Sequence, residues 1–599
     1  MLKKSMGIGL LCLAGQAYSA DITVTTTEDV VKDDDQCSLR EAIDYINKGM
    51  SKKGYMGCGG EGANNIISLK EKTTYNLNSH IAINASLSIK AVSENDSDFG
   101  STERIQGLNN AIIQMTGKDN IFRIGSKKEV TQVSLMELDL RGCNESMCAD
   151  KGGLIYNKGY LSVIYSRLQN GQANQGGAIY NAGAIATNEY SSADVSYSLI
   201  EKNTANQGAI LYNEMPFFSL VKSVLKNNKT VQNDAANIYT VGQIKDVENL
   251  AGFNAQISSN SFFKNKGRIA NVIDGMLLNN LTLVDNSSQA LYLNAPNGMA
   301  YIANSLILNN GTSDCLLASG DKTNLQNNLT SASCGVGDAS YPNQTWSGSN
   351  LFAIKNGASE GQCLSLAEDN QAILCPYSVP ENTFLGYFRP RILLNYRSIE
   401  DSPIVNKGLK PNETDALMVC DSADQRSVNR LTDNIYCDRG SIEITVPTTK
   451  NLVGQDILSG ETAKFSVAEY LGDSDLIPKE QCKALVGDNP TGEAWQDGCL
   501  KIVQTKTESK GQTSIDINGN VVYKPNSAWH GADIFEIHVI TSSTRFNTTK
   551  PYLVLTTQIV QSPKNQVEDK SVKTSGGAWG FAGLLGLFGL LGLRRVLKV

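Results

Sequence analysis

The chain is poor in the residues that metal and acid–base chemistry use most. Only three of its 599 residues are histidine, His80, His530 and His538, and no Cys-x-x-Cys occurs, which argues against a zinc site. Positive charge is not in excess. The formal net charge is −7, and it becomes −12 once Lys3, Lys4, Arg594, Arg595 and Lys598 leave with the two ends, so there is no basic footprint for nucleic acid. No proline interrupts the glycine-rich C-terminal run, which sets aside a collagen-like segment. No Gly-x-Ser-x-Gly elbow stands with a histidine to serve it. What remains is ample apolar content, 41%, in a chain long enough for several domains.

The ends carry the clearest signals. Lys3 and Lys4, an apolar stretch from Met6 to Ala14, and Ala17-Tyr18-Ser19-Ala20 read as a secretory signal peptide over residues 1–20. Leu11 is too large to precede a lipidated Cys12. Twelve cysteines are left, an even number that suits an oxidising compartment. They fall as neighbours, Cys37 with Cys58, Cys143 with Cys148, Cys315 with Cys334, Cys363 with Cys375, Cys420 with Cys437 and Cys482 with Cys499, and six local bridges are expected. At the other end Gly576-Gly577 leads into an apolar run from Ala578 to Leu593, closed by Arg594 and Arg595. Sixteen residues span only ~24 Å of a hydrocarbon core about 30 Å thick, and glycine at every third position weakens the helix further. Such a tail holds a chain in a membrane briefly.

Repeats fill the middle. Gly152-Gly153-Leu154-Ile155-Tyr156-Asn157 recurs as Gly176-Gly177-Ala178-Ile179-Tyr180-Asn181 and as Gly208-Ala209-Ile210-Leu211-Tyr212-Asn213. Short alternating strands end at Asn170, Asn203, Asn227, Asn265, Asn286 and Asn309, with spacings of 33, 24, 38, 21 and 23 residues. A minimum of 21 to 24 with insertions fits one coil of a parallel β-helix carrying loops of variable length. Each asparagine is expected to turn the chain in the left-handed conformation and to stack its amide on the next coil. An antiparallel sandwich or propeller is the competing fold, disfavoured by tandem repeats without a hairpin signature. The glycine pairs lack the helix and basic residue of a nucleotide-binding loop and read as tight turns.

Near the mature N-terminus Ser38 and Glu41 form a capping box, and Leu39, Ala42, Ile43 and Ile46 share one helical face. This helix is expected to lie apolar side down over the first coil, with structural rather than catalytic roles for Arg40 and Glu41. After about Thr445 the repeats stop. The stretch Asn518 to Asn526 and the alternating Phe535, Ile537 and Val539 predict a strand, a loop and a second strand, similar to the last two strands of bacterial immunoglobulin-like or cadherin-like domains.

Three family resemblances follow from these residues. Ser575 to Lys598 resembles the GlyGly-CTERM sorting signal, which implies cleavage by rhombosortase, an intramembrane protease of the rhomboid type, and delivery to the surface or medium of a Gram-negative bacterium. Cys37-Ser38-Leu39-Arg40-Glu41-Ala42 resembles the CSLREA domain that opens bacterial surface β-helix proteins. Asp401-Ser402-Pro403-Ile404, Cys420-Asp421, Asp424-Gln425-Arg426, Arg430 and Cys437-Asp438-Arg439-Gly440 are similar to the closing segment of the same proteins, with Ser427 standing where glycine is expected. Together they resemble the rhombotarget A family.

The expected fold class is all-β: a right-handed parallel β-helix with an N-terminal helical cap, followed by an immunoglobulin-like β-sandwich and a C-terminal hydrophobic sorting helix. The domains are a signal peptide (1–20), a CSLREA cap (21–64), the parallel β-helix (65–345), its C-terminal coils and closing segment (346–445), the sandwich (446–560), a linker (561–575) and the sorting tail (576–599). Pectin hydrolases of this fold cluster aspartates with a histidine, and no such motif lies in the repeats. Arg123, Arg141, Arg167 and Arg268 are candidate lyase bases by type only, and Asp33-Asp34-Asp35 reads as a solvated loop. The expectation is therefore a non-enzymatic surface or secreted protein, an adhesin or envelope-interaction protein that needs no cofactor. Its partners would be signal peptidase and the export machinery, the sorting protease and a glycan or other surface ligand. The alternative is a carbohydrate-active enzyme, with its groove on the coils between Asn203 and Asn265.

Overall fold

The computed structural model describes residues 20–562 apart from 93–108, 126–130, 144, 184–189, 216, 242–253, 332–333, 336, 354–362, 378–386, 411–417, 431–436, 447–448, 491, 493, 497, 504–509, 516–519, 527–528 and 530. The signal peptide up to Ser19, nearly all of the linker and the tail with Gly576, Gly577, Arg594 and Arg595 lie outside the described residues. Among those described the chain is mostly β, with α-helices at Leu39–Asn47 and Lys479–Val486.

Up to Thr345 the strands form three long parallel sheets, the arrangement of a β-helix. One coil shows the path. Tyr160–Ile164 lies in the first sheet, Arg167–Gln169 in the second, Gln172–Gln175 in a short accessory sheet and Ile179–Asn181 in the third, before Ser192–Ser196 re-enters the first. Each strand pairs in parallel with its counterpart one coil on: Leu161 with Ala193, Leu168 with Ile200, Ile179 with Leu211. The Gly-Gly repeats therefore stack rung on rung, Tyr156 beside Tyr180 beside Tyr212 and Asn157 beside Asn181 beside Asn213. Leu161, Val163, Leu168 and Ile179 point into one continuous core. Each such side chain contributes roughly 1.5–3 kcal/mol when fully buried, which a single coil could not achieve.

At the corners the structure corrects the role given to asparagine. Two adjacent residues share the work. Asn170, Lys202, Asn227, Lys264, Asp285 and Asn309 take the left-handed conformation, with φ of 52° to 58°. The residue after each of the last five is the rung. Asn203, Asn228, Asn265, Asn286 and Asn310 are buried, and each amide donates to the next Oδ1 at 3.0, 3.1, 3.0 and 2.8 Å. Among the motif asparagines, Asn203, Asn265 and Asn286 are thus rungs, while Asn170, Asn227 and Asn309 are turns. Several side chains tolerate the turn, as lysine does here, but a buried rung needs a group that donates and accepts in one plane. A serine version runs along another corner, where Ser166 and Ser198 donate their N–H groups to Ser198 and Ser223 Oγ, both at 3.1 Å.

The helix Leu39–Asn47 starts with the capping box: Ser38 Oγ accepts from Glu41 N at 3.2 Å and Glu41 Oε2 accepts from Ser38 N at 2.8 Å. Leu39, Ala42, Ile43 and Ile46 join the core of the stack. Arg40 grips Asp29 at 2.6 Å and donates to the carbonyls of His80 and Ser79, tying the helix to the first coil. Ala20–Thr23, which straddles the expected end of the signal peptide and start of the cap, is itself the edge strand of the first sheet.

The coils expected beyond residue 346 do not form among the described residues, where Gln344–Thr345 is the last strand to join a long sheet. The reason lies on the outside of the second sheet. Its outward row reads Gln169, Glu201, Lys226 and then Phe263, Val284, Leu308, so the later coils present an apolar outer face. Leu351, Ile373, Phe388 and Ile404 pack on that face as a second core instead of extending the stack. The chain then runs back along the serine corner. Asp421 accepts from Ser259 Oγ at 2.8 Å, Gln425 from Ser261 at 2.6 Å, and Ser441 donates to Thr282 at 3.0 Å.

The last part is antiparallel for the most part. Asn520–Pro525 pairs with Ala463–Ser466 and Gly511–Ile515 in one sheet, while Gly531–Val539 pairs with Leu553–Ser562 in another. Val521, Tyr523, Phe535, Ile537 and Val539 fill the core between them. The two strands expected to close this module thus lie in different sheets, and Leu553–Ser562 follows them. That strand takes Gln561 and Ser562 from the expected linker because the Gln561 amide is buried and donates to the Trp529 carbonyl at 2.9 Å.

Candidate ligand-binding face

The repeated tyrosine builds a column on the outer side of the third sheet, in which Tyr180 and Tyr212 are buried and Tyr156 and Tyr239 are half-buried at its ends. With side chains alternating along each strand, Tyr156, Tyr180, Tyr212 and Tyr239 stand in one outward row, and their ring centroids lie 5.6, 5.0 and 5.2 Å apart. In the middle of the column Lys151 Nζ donates to the Tyr180 hydroxyl at 2.6 Å, Tyr180 donates to Glu214, and Glu214 also accepts from Gly183 N at 3.2 Å. Burial, reinforced by the Glu214 carboxylate, pushes the Tyr180 hydroxyl well above its ordinary value. It stays a donor at neutral pH. The three groups satisfy one another, and their arrangement stiffens the column rather than holding a free base.

At the column's end, on the coils from Gln207 to Asn294, a pocket of about 340 Å³ opens. Tyr239, Arg268, Asn271 and Tyr292 line it, with Gln207, Asp234 and Asn294. Arg268 lies over the Tyr292 ring, 4.9 Å from its centroid. A broader depression of about 470 Å³ lies on the first sheet, lined by Ser88, Ser134, Ser162 and Asp194. Burial against neighbouring strands raises the Asp194 carboxyl pKa, although the side chain remains exposed at its edge.

The other sequence candidates are dispersed. Cys37, Ser38, Leu39, Arg40, Glu41 and Ala42 lie at the cap, where Glu41 is buried and engaged with backbone amides. All six expected cysteine pairs are bonded, with Cα separations of 4.8, 5.8, 4.7, 5.4, 6.6 and 5.7 Å in chain order. Bonded cysteines in this number suit an extracellular or periplasmic protein. Arg123 pairs with Asp119 and Arg141 with Asp139, Arg167 stands in register with Asp139, and Arg268 alone lies in the pocket. His80 Nδ1 also meets Asp119, at 2.7 Å. Although burial works against it, hydrogen bonds from the His80 side chain and backbone hold the Asp119 carboxyl below the usual range. Asp34 pairs with Lys32 in an exposed loop, and His538 with Glu536. Among the described residues no cluster of three or more histidine, cysteine and acidic side chains could hold a metal, and no helix is long and apolar enough to cross a membrane.

Lys151, Glu214, Tyr239 and Tyr292 were missed by sequence reasoning. The signal was present in the tyrosine kept at the fifth position of all three copies of the repeat, Tyr156, Tyr180 and Tyr212. Comparison of the chain with protein-family models, with curated proteins and with solved structures finds no match.

Proposed function

We propose that this chain is an exported surface or secreted bacterial protein of the rhombotarget A type. In this reading a right-handed β-helix, capped by its CSLREA segment, presents a binding face and is carried on an immunoglobulin-like module. The sorting tail is cut by a rhomboid-type intramembrane protease. Its role is adhesion or interaction with the envelope, without catalysis. The observation that carries the binding role is the open pocket at the end of the tyrosine column, where the half-buried Tyr239 forms part of the lining. The six bonded cysteine pairs support export.

Intact mass of the protein recovered from culture medium and from membranes tests the sorting reading. A C-terminus near Gly576 or Gly577 in the released form is expected, and Gly577→Leu should hold the chain in the membrane. Full-length protein confined to the inner membrane would defeat it. A second reading, a carbohydrate-active enzyme, draws on the position of the pocket on the coils around Asn203 to Asn265. Shortening of an oligosaccharide by the purified protein would favour that reading.

A further inference from the structure

The tyrosine column stops for one rung, and the interruption shapes the pocket. Ile238 pairs with Ala270, which puts Tyr239 beside Asn271, and Asn271 pairs with Tyr292. The Asn271 amide is turned onto the preceding strand, where its Oδ1 accepts from Thr240 N at 3.0 Å and its Nδ2 donates to Thr240 O at 3.1 Å. It is too short and too committed to fill the place of a ring. The gap from Tyr239 to Tyr292 is therefore two strand spacings, about 9.6 Å.

The groups around this gap are unspent. Arg268 Nε is buried without a hydrogen-bond partner. Gln207, Asp234 and Asn294 line the same pocket and make no side-chain hydrogen bond with the described residues, and Arg268 and Asp234 do not pair with each other. The pocket thus sets a guanidinium beside amide and carboxylate side chains, groups that can both donate to and accept from a ligand. Its wall is aromatic, with Tyr239 packed against Tyr212 on one side. A site with one ring wall and both donors and acceptors at its edge matches a molecule with an apolar C–H face and a rim of hydroxyls. A flat aromatic base has too few edge groups, and an extended peptide would need a free strand edge.

We infer that the pocket binds one pyranose unit of a glycan, its C–H face against Tyr239, its ring or carbonyl oxygens accepting from Arg268, and its hydroxyls meeting Gln207, Asp234 and Asn294. The inference deepens the binding role proposed above and needs nothing from the sorting tail. The carbohydrate hydrogens are the positive partner of the tyrosine π-face.

The test is isothermal titration of the disulfide-bonded protein with glucose, N-acetylglucosamine, galacturonic acid and their tetrasaccharides. Saturable binding of at least one is expected, about tenfold weaker in Tyr239→Ala and in Arg268→Ala. Lys118→Ala, on a distant coil, should leave it unchanged. Tyr239→Phe keeps the ring and should keep binding, while Gln207→Ala weakens it without touching the core, so a folding defect cannot mimic the result. No binding across the panel, or binding indifferent to Tyr239 and Arg268, overturns the inference. Binding accompanied by cleavage of a tetrasaccharide upholds the site and overturns the non-catalytic function.

Discussion

Along the stack, Asn203, Asn228, Asn265, Asn286 and Asn310 satisfy one another amide to amide, and the row meets a carboxylate only at its end, where Asn310 donates to Asp314. The closing segment lies on neighbouring coils and does the opposite. It buries Asp424, Arg430, Asp438 and Arg439, with Arg426 bridging Asp424 and Asp473 at 3.0 and 2.9 Å. The coils repeat, so each polar group finds its copy one strand away, and neutral amides suffice. The closing segment meets the coils once, at sites that differ along its length, and longer charged side chains reach what no repeat supplies. Arg439 contacts Gln344, Pro403 and Asn327, and Arg430 contacts Asp438, Gly440 and Glu443. A neutral ladder should be indifferent to pH, and a buried ionic strap should not.

The largest expected effect lies in the strap. Arg430→Met leaves the Asp438 and Gly440 carbonyls and the Glu443 carboxyl without their donor, and should cost about 3–5 kcal/mol in urea unfolding, since each buried acceptor left unsatisfied costs roughly 1–3 kcal/mol. A midpoint unchanged from the parent would show that the strap's charges contribute nothing. Next comes the ladder. Asn265 Oδ1 accepts from both Asn228 N and Asn228 Nδ2, so Asn265→Ala should cost about 2–3 kcal/mol by the same measurement. The comparison sharpens if that loss is equal at pH 6 and pH 9, and breaks if it is not.

The smallest effect at neutral pH, and the most diagnostic, concerns Glu443. Burial, then the neighbouring Asp438 carboxylate, pushes its carboxyl up to about 9, and burial likewise raises Asp438 to about 6. Acidic groups outnumber guanidiniums in this cluster, so one carboxyl keeps its proton. An acid whose folded pKa lies above its unfolded value of ~4.3 binds that proton more tightly when folded, so stability falls as pH rises from there towards about 9. Thermal midpoints should decline across pH 6 to 9. Glu443→Gln should change stability at pH 7 by less than about 1 kcal/mol and flatten the decline. An unaltered slope in that variant would assign the pH dependence elsewhere.

Much of this was legible in the residues. The period of the strands, the capping box at Ser38 and Glu41, its apolar face and all six cysteine pairs follow from local spacing, and local spacing is what a sequence displays. Ser427 is instructive: it stands where glycine is expected, and the chain there is left-handed, with φ of 67°, while its hydroxyl meets Tyr197 at 2.8 Å. Other features were legible only in part. Three of the motif asparagines are rungs themselves and two others, Asn227 and Asn309, are followed by the rung, because turn and rung are separate demands that one residue type can meet. The change from Gln169, Glu201 and Lys226 to Phe263, Val284 and Leu308 was also in plain view, yet it means something only once those residues share an outward row.

By itself the sequence determined the coil, its cap and its cross-links, since each depends on residues a few positions apart or on a repeat that copies itself. Tertiary structure alone decided that Leu351, Ile373, Phe388 and Ile404 flank the stack, that the strap's charges meet one another, and that a gap opens between Tyr239 and Tyr292. These depend on contacts between residues far apart in the chain, and on which side of a strand a residue faces once register is set.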